Sequence, residues 1–385
     1  MRLEPEQEAI LRGERGRGMA KAMETLVVYG KAFGARRLVP IRSGHLAGTF
    51  GILSYKGYYS ILEQLVAEGV KFKVPTTANP RPGQKLNLLN RVLFSHQSRL
   101  EANLASLGVI PNYSCVCYEQ ANVPGRGDVL AWAESSAVQF ANSVLGARTN
   151  RNSILIDVCS AVTGLTPEFG YLLDEHRRGQ VLVRLDIERM DAAALGFVIG
   201  QRVVDKVPVI EHRDFSWIEL KNMGGAMAAA GAVALFHVEG LTPEAPDLRS
   251  AFDGEPQTTI SVSQKDLDAM RIKDPDQSDL VVFGCPQMTL EEASQLAQRF
   301  TGAKVKKPTM FCLIPEAKKR FEATDLCGQV QRAGVRVADC CPVAALAARV
   351  GKRRVLTSSA KCLCYLAGTV YGTADDCLQA CGAGS

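Results

Sequence analysis

Hydrophobic residues along the chain follow two alternating spacings. Short runs of Val, Ile and Leu predict strands at 38–41, 181–185, 207–210, 280–283, 310–314, 335–338 and 354–356. Elsewhere apolar residues recur every three or four positions, which is the spacing of a helix with one buried face, and they predict helices that include 191–204, 215–230 and 316–333. Strands that alternate with helices predict an α/β fold of several αβα domains with largely parallel sheets.

Weaker patterns predict four further elements. They are a strand over 70–74, a helix over 88–107, a brief strand that leads into Cys115 and a strand over 232–238. A run from Leu130 to Leu145 has apolar residues at helical spacing and predicts one more helix.

Residues 245–257 separate two regions of regular pattern. This segment is rich in proline and acidic side chains and has no periodicity, which is typical of a connection between domains. We expect an N-terminal α/β region over 1–250 and a C-terminal α/β region over 251–385.

The composition is that of an ordinary globular protein. Hydrophobic residues make up 46% of the 385 residues and charged residues 22%. The net charge of +5 is not concentrated in a basic patch with interleaved aromatic residues, so nucleic acid binding is not favoured. The N-terminus lacks the apolar core of a signal peptide, and no apolar run is long enough for a membrane span. We expect a cytoplasmic protein that binds neither nucleic acid nor membrane.

The twelve cysteines indicate metal or redox chemistry rather than disulfides in such a protein. Cys115, Cys285 and Cys341 stand out, because each follows a predicted strand and has polar or helix-breaking neighbours. The others that lie within predicted strands or helices, such as Cys312, are better explained as buried thiols. Three thiolates can hold an iron–sulfur cluster and leave one iron without a protein ligand. Such an iron is a Lewis acid that can turn a hydroxyl into a leaving group, so the trio indicates dehydration.

Polar residues with binding chemistry surround the predicted strand ends. The candidates for substrate binding are Ser43, Thr76, Thr77, Asn79, Ser135, Ser136, Asn142, Ser143, Arg148, Thr149, Asn150, Arg151, Ser358 and Ser359. Arg148 and Arg151 carry guanidinium forks, which bind carboxylate or phosphate through two hydrogen bonds, and we expect them to form an anion cradle. In parallel sheets ligands bind beyond the carboxyl ends of the strands, where Cys285, Cys341 and Lys361 are predicted to lie.

Sequence blocks spread over nearly the whole chain resemble the aconitase X family, a branch of the aconitase superfamily. They are GMAKAMETLV (18–27), SGH (43–45), VPTTAN (74–79), SCVCY (114–118), AWAESSAVQFANSVLGARTN (131–150), LKNMGGAMAAAGAVALFHVEGLTPEA (220–245), FGCPQMTLEE (283–292), ADCCPV (338–343) and TSSAK (357–361). The resemblance implies the aconitase-like fold, with a cluster between domains at the carboxyl ends of strands. It also implies the large, catalytic subunit of an iron–sulfur hydro-lyase.

The resemblance makes the site more specific. It implies that Cys115, Cys285 and Cys341 bind the cluster, which we expect to be 4Fe–4S, with 2Fe–2S and 3Fe–4S as alternatives. His45, Glu134 and Lys361 are the acid–base and polarising candidates. The expected substrate is a small hydroxylated carboxylate, with cis-3-hydroxy-L-proline preferred to 5-phosphomevalonate.

The chain departs from the family pattern at several positions. Cys117 stands where the family usually has Pro, Cys340 where it has Thr, and Gln287 where His is common. Ser358 stands where the family pattern has a residue with an amide side chain. The choice of ligand within Cys115/Cys117 and Cys340/Cys341 therefore stays open.

Two alternatives concern the activity and the partner. A non-catalytic iron–sulfur sensor could be built on the same scaffold, although Glu134, Arg148 and Lys361 favour an enzyme. The resemblance implies a smaller swivelling domain that closes the site. Because the chain continues past Cys341 only far enough for short elements, such as a helix over 373–380, we expect a separate small subunit.

Overall fold

Parallel β-sheets surrounded by helices organise the protein. The computed structural model describes residues 1–52, 56–83, 88–347 and 353–383. Within these ranges, three sheets contain only parallel neighbours, and one small two-stranded sheet is antiparallel. The predicted α/β fold with largely parallel sheets is confirmed. No helix of the described residues is long and apolar enough to cross a membrane.

The first unit is built on a three-stranded parallel sheet. Its helices are α1 (Pro5–Leu11), α2 (Arg17–Ala32), α3 (Lys56–Ala67), α4 (Leu88–Leu93), α5 (Gln97–Leu107), α6 (Ser135–Ser143) and α7 (Ile154–Thr163). Its strands are β1 (Leu38–Pro40), β2 (Ser43–Leu46), β3 (Thr76–Ala78), β4 (Leu130–Trp132) and β5 (Leu165–Pro167). The sheet order is β3-β2-β4, and β1 pairs with β5. His45, Asn79 and Glu134 therefore lie at the carboxyl end of this sheet.

The second unit is a four-stranded parallel sheet with two long helices. Its elements are β6 (Val181–Asp186), α8 (Ala192–Val203), β7 (Pro208–Ile210), α9 (Trp217–Ala230), β8 (His237–Val238), α10 (Leu248–Ala251), β9 (Thr258–Ser263) and α11 (Gln264–Asp268). The sheet order is β8-β7-β6-β9. Helix α9 begins with a capping box in which Ser216 and Glu219 satisfy each other's backbone N–H groups.

The third unit is a five-stranded parallel sheet. Its elements are β10 (Leu280–Met288), α12 (Leu290–Gln298), β11 (Thr309–Leu313), α13 (Pro315–Glu322), α14 (Asp325–Ala333), β12 (Val335–Ala338), α15 (Pro342–Ala347), β13 (Val355–Thr357), α16 (Lys361–Tyr365), β14 (Thr369–Tyr371) and α17 (Ala374–Cys381). The order β12-β11-β10-β13-β14 places β10 at the centre. Regular pairing of β10 with β11 is interrupted between Phe283 and Met288, so Cys285 lies in the irregular part of the strand.

The predicted helix that starts at Leu130 is wrong at its beginning. Residues 130–132 form β4, and α6 begins only at Ser135, because the Glu134 carboxylate accepts a hydrogen bond from the backbone N–H of Ala137 and caps the helix. All three residues of β4 are buried, so their hydrophobicity does not distinguish a strand from a helix.

Other predicted elements differ in type or extent. Residues 70–74 form no strand, because the N–H groups of residues 70, 72 and 73 donate to three separate segments rather than to one neighbouring strand. The segment before Cys115 runs beside β3 and donates two hydrogen bonds to it, but it is not a strand either. The predicted helices over 88–107 and 316–333 are each two helices, and the predicted strand over 232–238 is reduced to β8.

The expected boundary near residue 250 falls inside the second unit. Strand β9 pairs with all six residues of β6, and Phe252 forms an isolated bridge with Gly179. A division into 1–250 and 251–385 would separate β9 from its own sheet. The acidic, proline-rich segment, which includes the short helix α10, is therefore a connection within the unit rather than a boundary between domains.

Helix α9 of the second unit contacts the first and third units at two glycines, Gly224 and Gly225. A Cβ atom built at Gly225 would lie 2.9 Å from Cγ of Pro286 and 3.4 Å from Cβ of Ser136. At Gly224 it would lie 2.9 Å from Oε1 of Gln139. Glycine at these positions lets the helix approach both the Cys285–Pro286 turn and helix α6.

We predict that Gly225→Ala destabilises the protein and displaces Pro286. The rigid proline ring cannot move aside freely, and overpacking of this kind costs about 1–3 kcal/mol, which exceeds the helix propensity gain of about 1 kcal/mol. Denaturant unfolding of Gly225→Ala should show the loss. Gly57→Ala is the matched control, because Gly57 is a helical, exposed glycine at which an added Cβ atom would have none of the described atoms within 4 Å, and it should be neutral or slightly stabilising. Equal stability of the two variants would contradict the tight contact.

Candidate active site

Three thiols from separate parts of the chain converge beside the first and third sheets. Cys115 and Cys285 are buried, and Cys341 is partly buried. Burial raises the pKa of Cys115 to about 12, and the charges of Glu134 and Cys285 add to the rise. Burial also raises the pKa of Cys341, and Cys285 and Cys115 contribute. The Cys115 sulfur accepts a hydrogen bond of 3.3 Å from the backbone N–H of Gln287.

The two cysteines of the first pair have different partners. The Cys117 thiol forms a hydrogen bond with the Thr77 side chain, within the first unit. Cys115 instead shares an electrostatic interaction with Cys285. The geometry thus favours Cys115 as the member that faces the other thiols.

Cys340 and Cys341 also have different partners. The Cys340 thiol forms a hydrogen bond with Cys312, inside the apolar core of the third unit. Cys341 instead interacts with Cys285 and Cys115. The two neighbouring side chains therefore point to different surroundings, as expected for adjacent residues at a strand end.

A fourth thiol, Cys362, lies beside Cys285. The hydrogen bond between Cys362 and Cys285 has the largest effect on the pKa of Cys285 and lowers it. Burial opposes this change, and the charge of Lys361 lowers the pKa further. The Ser359 hydroxyl donates to the backbone carbonyl of Cys285. Cys285 is thereby surrounded by donors from the turn that follows β13.

A buried ion pair joins the first unit to the third. Lys361 Nζ lies 2.6 Å from Glu134 Oε1 and 3.0 Å from Ser136 Oγ. Glu134 Oε2 accepts hydrogen bonds of 2.7 Å from Ser136 Oγ and from the N–H of Ala137, and Ser135 Oγ lies 3.4 Å from Oε1. Every oxygen of the carboxylate therefore has a donor.

The pair stays ionised although it is buried. Burial would raise the pKa of Glu134, but Lys361 and the hydrogen bonds hold it below the ordinary value. Burial would likewise lower the pKa of Lys361, but Glu134, Cys285 and Cys115 raise it above the ordinary value. Lys361 is thus a fixed positive charge beside the thiols.

His45 lies in a hydrogen-bond network at the carboxyl end of the first sheet. Its Nδ1 is 2.8 Å from Thr77 Oγ1, and its Nε2 is 3.0 Å from Asn79 Oδ1. Asn122 extends the network with a 3.0 Å hydrogen bond to Thr77. Burial lowers the pKa of His45 to about 4, so the ring is neutral at neutral pH. Both ring nitrogens are engaged, and the His45 side chain supports the loop that carries Asn79.

Four predicted binding residues are bonded to the chain itself. Asn142, Ser143, Thr149 and Asn150 are buried. Asn142 joins the backbone of Thr149 to that of Ala234, Ser143 accepts from the N–H of residue 236, and Asn150 bonds the backbone of residues 169 and 171. These side chains hold three segments together, and their substrate contacts stay a prediction.

The two arginines that were expected to form one anion cradle have different hydrogen-bond partners and line different cavities. Arg148 donates to the carbonyl of Leu172 at 2.9 Å and pairs with Asp174, and it lines a cavity of about 350 Å³. Arg151 donates to a carbonyl of α9 at 2.9 Å and approaches the Tyr365 hydroxyl at 3.4 Å, and it lines a different cavity of about 720 Å³. The structure does not bring the two forks onto one anion.

The remaining candidates fall into two groups. Ser43 and Thr76 are buried and hydrogen-bonded within the first unit. Ser358 and Ser359 line a cavity of about 320 Å³ together with Cys285. Ser358 also lines a second cavity of about 490 Å³. The serines that follow β13 therefore have open space in front of them next to Cys285.

The thiols fit an iron–sulfur cluster better than a single metal ion. Among the residues that the structure describes, no three His, Cys, Asp or Glu side chains are arranged to hold one ion. A cluster does not need this arrangement, because its cysteines bind different irons. The backbone N–H of Gln287 donates to Cys115, and its buried side-chain amide has no hydrogen-bond partner among the described residues, so it is an additional polar group that such a cofactor would satisfy.

Sequence reasoning missed Cys362 and Asn122 as parts of the site. Cys362 directly follows Lys361, so its position after a strand end was a usable indication. Asn122 lies in a loop without periodicity, and nothing in its neighbourhood marks its hydrogen bond to Thr77.

We predict that Lys361→Met strongly destabilises the protein. Breaking a buried pair leaves a carboxylate without its counter-charge, which costs about 3–5 kcal/mol. The second change Glu134→Gln in the same chain should recover much of this loss, and denaturant unfolding measures both. Lys21→Met, which breaks the exposed pair with Glu24, should change stability by no more than about 1 kcal/mol. A Lys361→Met variant as stable as Lys21→Met would contradict the buried pair.

Comparison with protein families divides the chain into three matched regions. Residues 1–175 match the first domain of aconitase X, residues 179–271 the second domain and residues 278–383 the third domain. These limits agree with the three sheets described above.

Relatives and a solved structure agree with this match. The chain is 37% identical over 321 residues to the phosphomevalonate dehydratase large subunit of Thermococcus kodakarensis, covering 80% of each chain. It is 33% identical over 391 residues to the cis-3-hydroxy-L-proline dehydratase of Pseudomonas aeruginosa, covering 96% of this chain and 67% of that protein. The crystal structure of Thermococcus kodakaraensis aconitase X in its holo-form superimposes with a TM-score of 0.85 at 34% identity, covering 94% of each chain. The chain belongs to the aconitase X family, in which it corresponds to the large subunit, and it is a dehydratase, that is, a hydro-lyase.

Proposed function

We propose that the chain is the cluster-binding subunit of a dehydratase that acts on small 3-hydroxycarboxylates. The observation that carries the proposal is the convergence of Cys115, Cys285 and Cys341 beside the ionised Lys361–Glu134 pair. Thiols that only filled a core would not need a buried charge pair and a cavity lined by hydroxyls next to them.

The residues of this chain have distinct roles in the proposed reaction. An iron–sulfur cluster held by the three cysteines supplies a Lewis acid that assists departure of the substrate hydroxyl. Lys361 offers a fixed ammonium to the substrate carboxylate, and Glu134 holds that ammonium in place. Ser358 and Ser359 line the space next to Cys285 and can donate hydrogen bonds to the substrate. His45 remains neutral and positions Asn79 through its hydrogen bond.

Two substrates share the required chemistry, and both have support. In 5-phosphomevalonate and in cis-3-hydroxy-L-proline the hydroxyl is on the carbon next but one to the carboxyl carbon, so loss of water gives a conjugated double bond. The higher identity to phosphomevalonate dehydratase supports the phosphorylated substrate at least as well as the hydroxyproline preferred from sequence alone. The 33% identity to a cis-3-hydroxy-L-proline dehydratase over 96% of this chain supports hydroxyproline.

A small subunit is the proposed partner. The Methanosarcina mazei relative, which matches 98% of this chain at 33% identity, is named a large subunit, and that naming supports a second chain. The matched Pseudomonas aeruginosa protein extends well beyond the aligned part. A separate chain that covers the thiols would exclude water and could add the base that removes the substrate proton. The cytoplasmic location remains a prediction from the sequence.

We predict that Cys115→Ser, Cys285→Ser and Cys341→Ser each fail to bind a full cluster. Each removes one thiolate ligand, so iron and sulfide content and the brown visible absorbance should fall after anaerobic reconstitution. Cys117→Ser and Cys340→Ser are matched controls from the same two segments and should bind iron like the wild type. Full iron content in Cys285→Ser would rule out the three-thiolate assignment.

Substrate and partner can be tested in one set of assays. The reconstituted chain, alone and co-expressed with a small subunit from its own organism, is offered each of the two substrates. We expect dehydration of one of them, at least about a hundredfold faster in the complex than with the chain alone, since water exclusion strengthens the electrostatic terms. If a cluster-loaded complex dehydrates neither compound, the proposed substrate class is refuted. Full turnover by the chain alone would refute the need for a partner.

A further inference from the structure

Gln287 is fully buried, and its side chain has no hydrogen-bond partner among the residues that the structure describes. Neither Nε2 nor Oε1 of its amide is bonded. The backbone of the same residue is fully engaged: its N–H donates to the Cys115 sulfur at 3.3 Å, and its carbonyl accepts from Lys221 Nζ at 3.1 Å. The backbone is thus held, while the amide is left with free donors and a free acceptor.

The position of the amide connects it to the thiols. Gln287 lies two residues after Cys285 in the chain, and its N–H donates to the Cys115 sulfur. Lys221, which pairs with Glu292 at 2.7 Å, holds the Gln287 carbonyl. The backbone of Gln287 is therefore fixed next to two of the three convergent cysteines.

An unbonded buried amide is costly. A buried polar group without a partner loses about 1–3 kcal/mol relative to one that is paired, and most buried groups in native proteins are paired. An apolar residue of the same size would avoid that loss. A bound group that supplies an acceptor next to Cys115 would remove it.

We infer that the Gln287 amide donates a hydrogen bond to a sulfur atom of the cluster bound by Cys115, Cys285 and Cys341. The inference rests on the proposed function, since it requires that cluster. Whichever way the amide is oriented, it carries N–H groups, and N–H donors to sulfur favour the more negative, reduced cluster. Gln287 is in this role a positioning residue that raises the reduction potential and slows the loss of iron.

The test compares reconstituted wild-type protein with three variants, after iron and sulfide content have been measured for each. Gln287→Met keeps the length of the side chain and removes the N–H groups. We expect it to have a lower reduction potential and to lose iron to a chelator about fivefold faster, the equivalent of one hydrogen bond. Gln287→His retains a ring N–H and should recover most of both properties.

Gln139→Met is the matched control. Gln139 is a fully buried glutamine of α6 that also has one unbonded amide atom, and its other amide group donates to the carbonyl of Val233. The same substitution there should lower stability and leave the potential and the rate of iron loss unchanged. An unchanged potential and rate in Gln287→Met, or equal shifts in the two Met variants, would overturn the inference.

A measurement on the wild type does not depend on the folding of any variant. Glutamine labelled with ¹⁵N only at the side-chain amide should give a nuclear coupling in pulsed EPR of the reduced cluster. Absence of that coupling in a cluster-loaded sample would overturn the inference while leaving the proposed function intact. Wild-type protein that binds no iron after reconstitution would overturn both.

Discussion

The buried pair between Lys361 and Glu134 is the interaction on which the site depends. It joins the turn after β13 to the start of α6, so that the first and third units meet where the thiols converge. A buried pair of this kind is tolerated only when its remaining groups are bonded. Here Ser136 and the N–H of Ala137 donate hydrogen bonds to the Glu134 carboxylate. The Glu134 side chain thus both caps helix α6 and balances the charge of Lys361. A change at one end of the pair should therefore affect the position of the other unit.

The second unit supports this junction although it contributes no thiol. Helix α9 contacts α6, α16 and β10 and approaches Pro286 closely at Gly225. Lys221 of the same helix, fully buried, pairs with Glu292 and holds the carbonyl of Gln287. The helix thus positions both the Cys285–Pro286 turn and the start of α12, and the contact of Gly225 with Pro286 explains why a larger side chain is excluded there.

The sequence was most informative where local pattern and tertiary position agree. The four strands predicted at 280–283, 310–314, 335–338 and 354–356 are confirmed to within a few residues at their ends, because each is an apolar run bounded by polar or turn-forming residues. Cys285 and Cys341 follow strands whose carboxyl ends share one edge of a sheet, so their proximity could be predicted from alternation alone. Cys115 entered the trio because a strand was predicted before it, and the structure has no strand there, so the family resemblance is the better ground for its place.

What the sequence did not predict, or left open, depends on contacts between distant segments. Arg148 and Arg151 lie three residues apart in an exposed-looking turn, but Asp174 binds the first, and residues from α9 and α16 contact the second. The choice between Cys340 and Cys341 depends on Cys312, which lies in another strand. Ion pairs and thiol contacts between distant segments appear only when the fold brings them together.

Diffraction at the iron absorption edge from crystals of the reconstituted protein is the most direct test of the central claim. The account predicts anomalous density for iron between the sulfur atoms of Cys115, Cys285 and Cys341, next to the Lys361–Glu134 pair. Iron bonded to Cys117, Cys340 or Cys362 in place of one of the three, or iron located away from them, would contradict it.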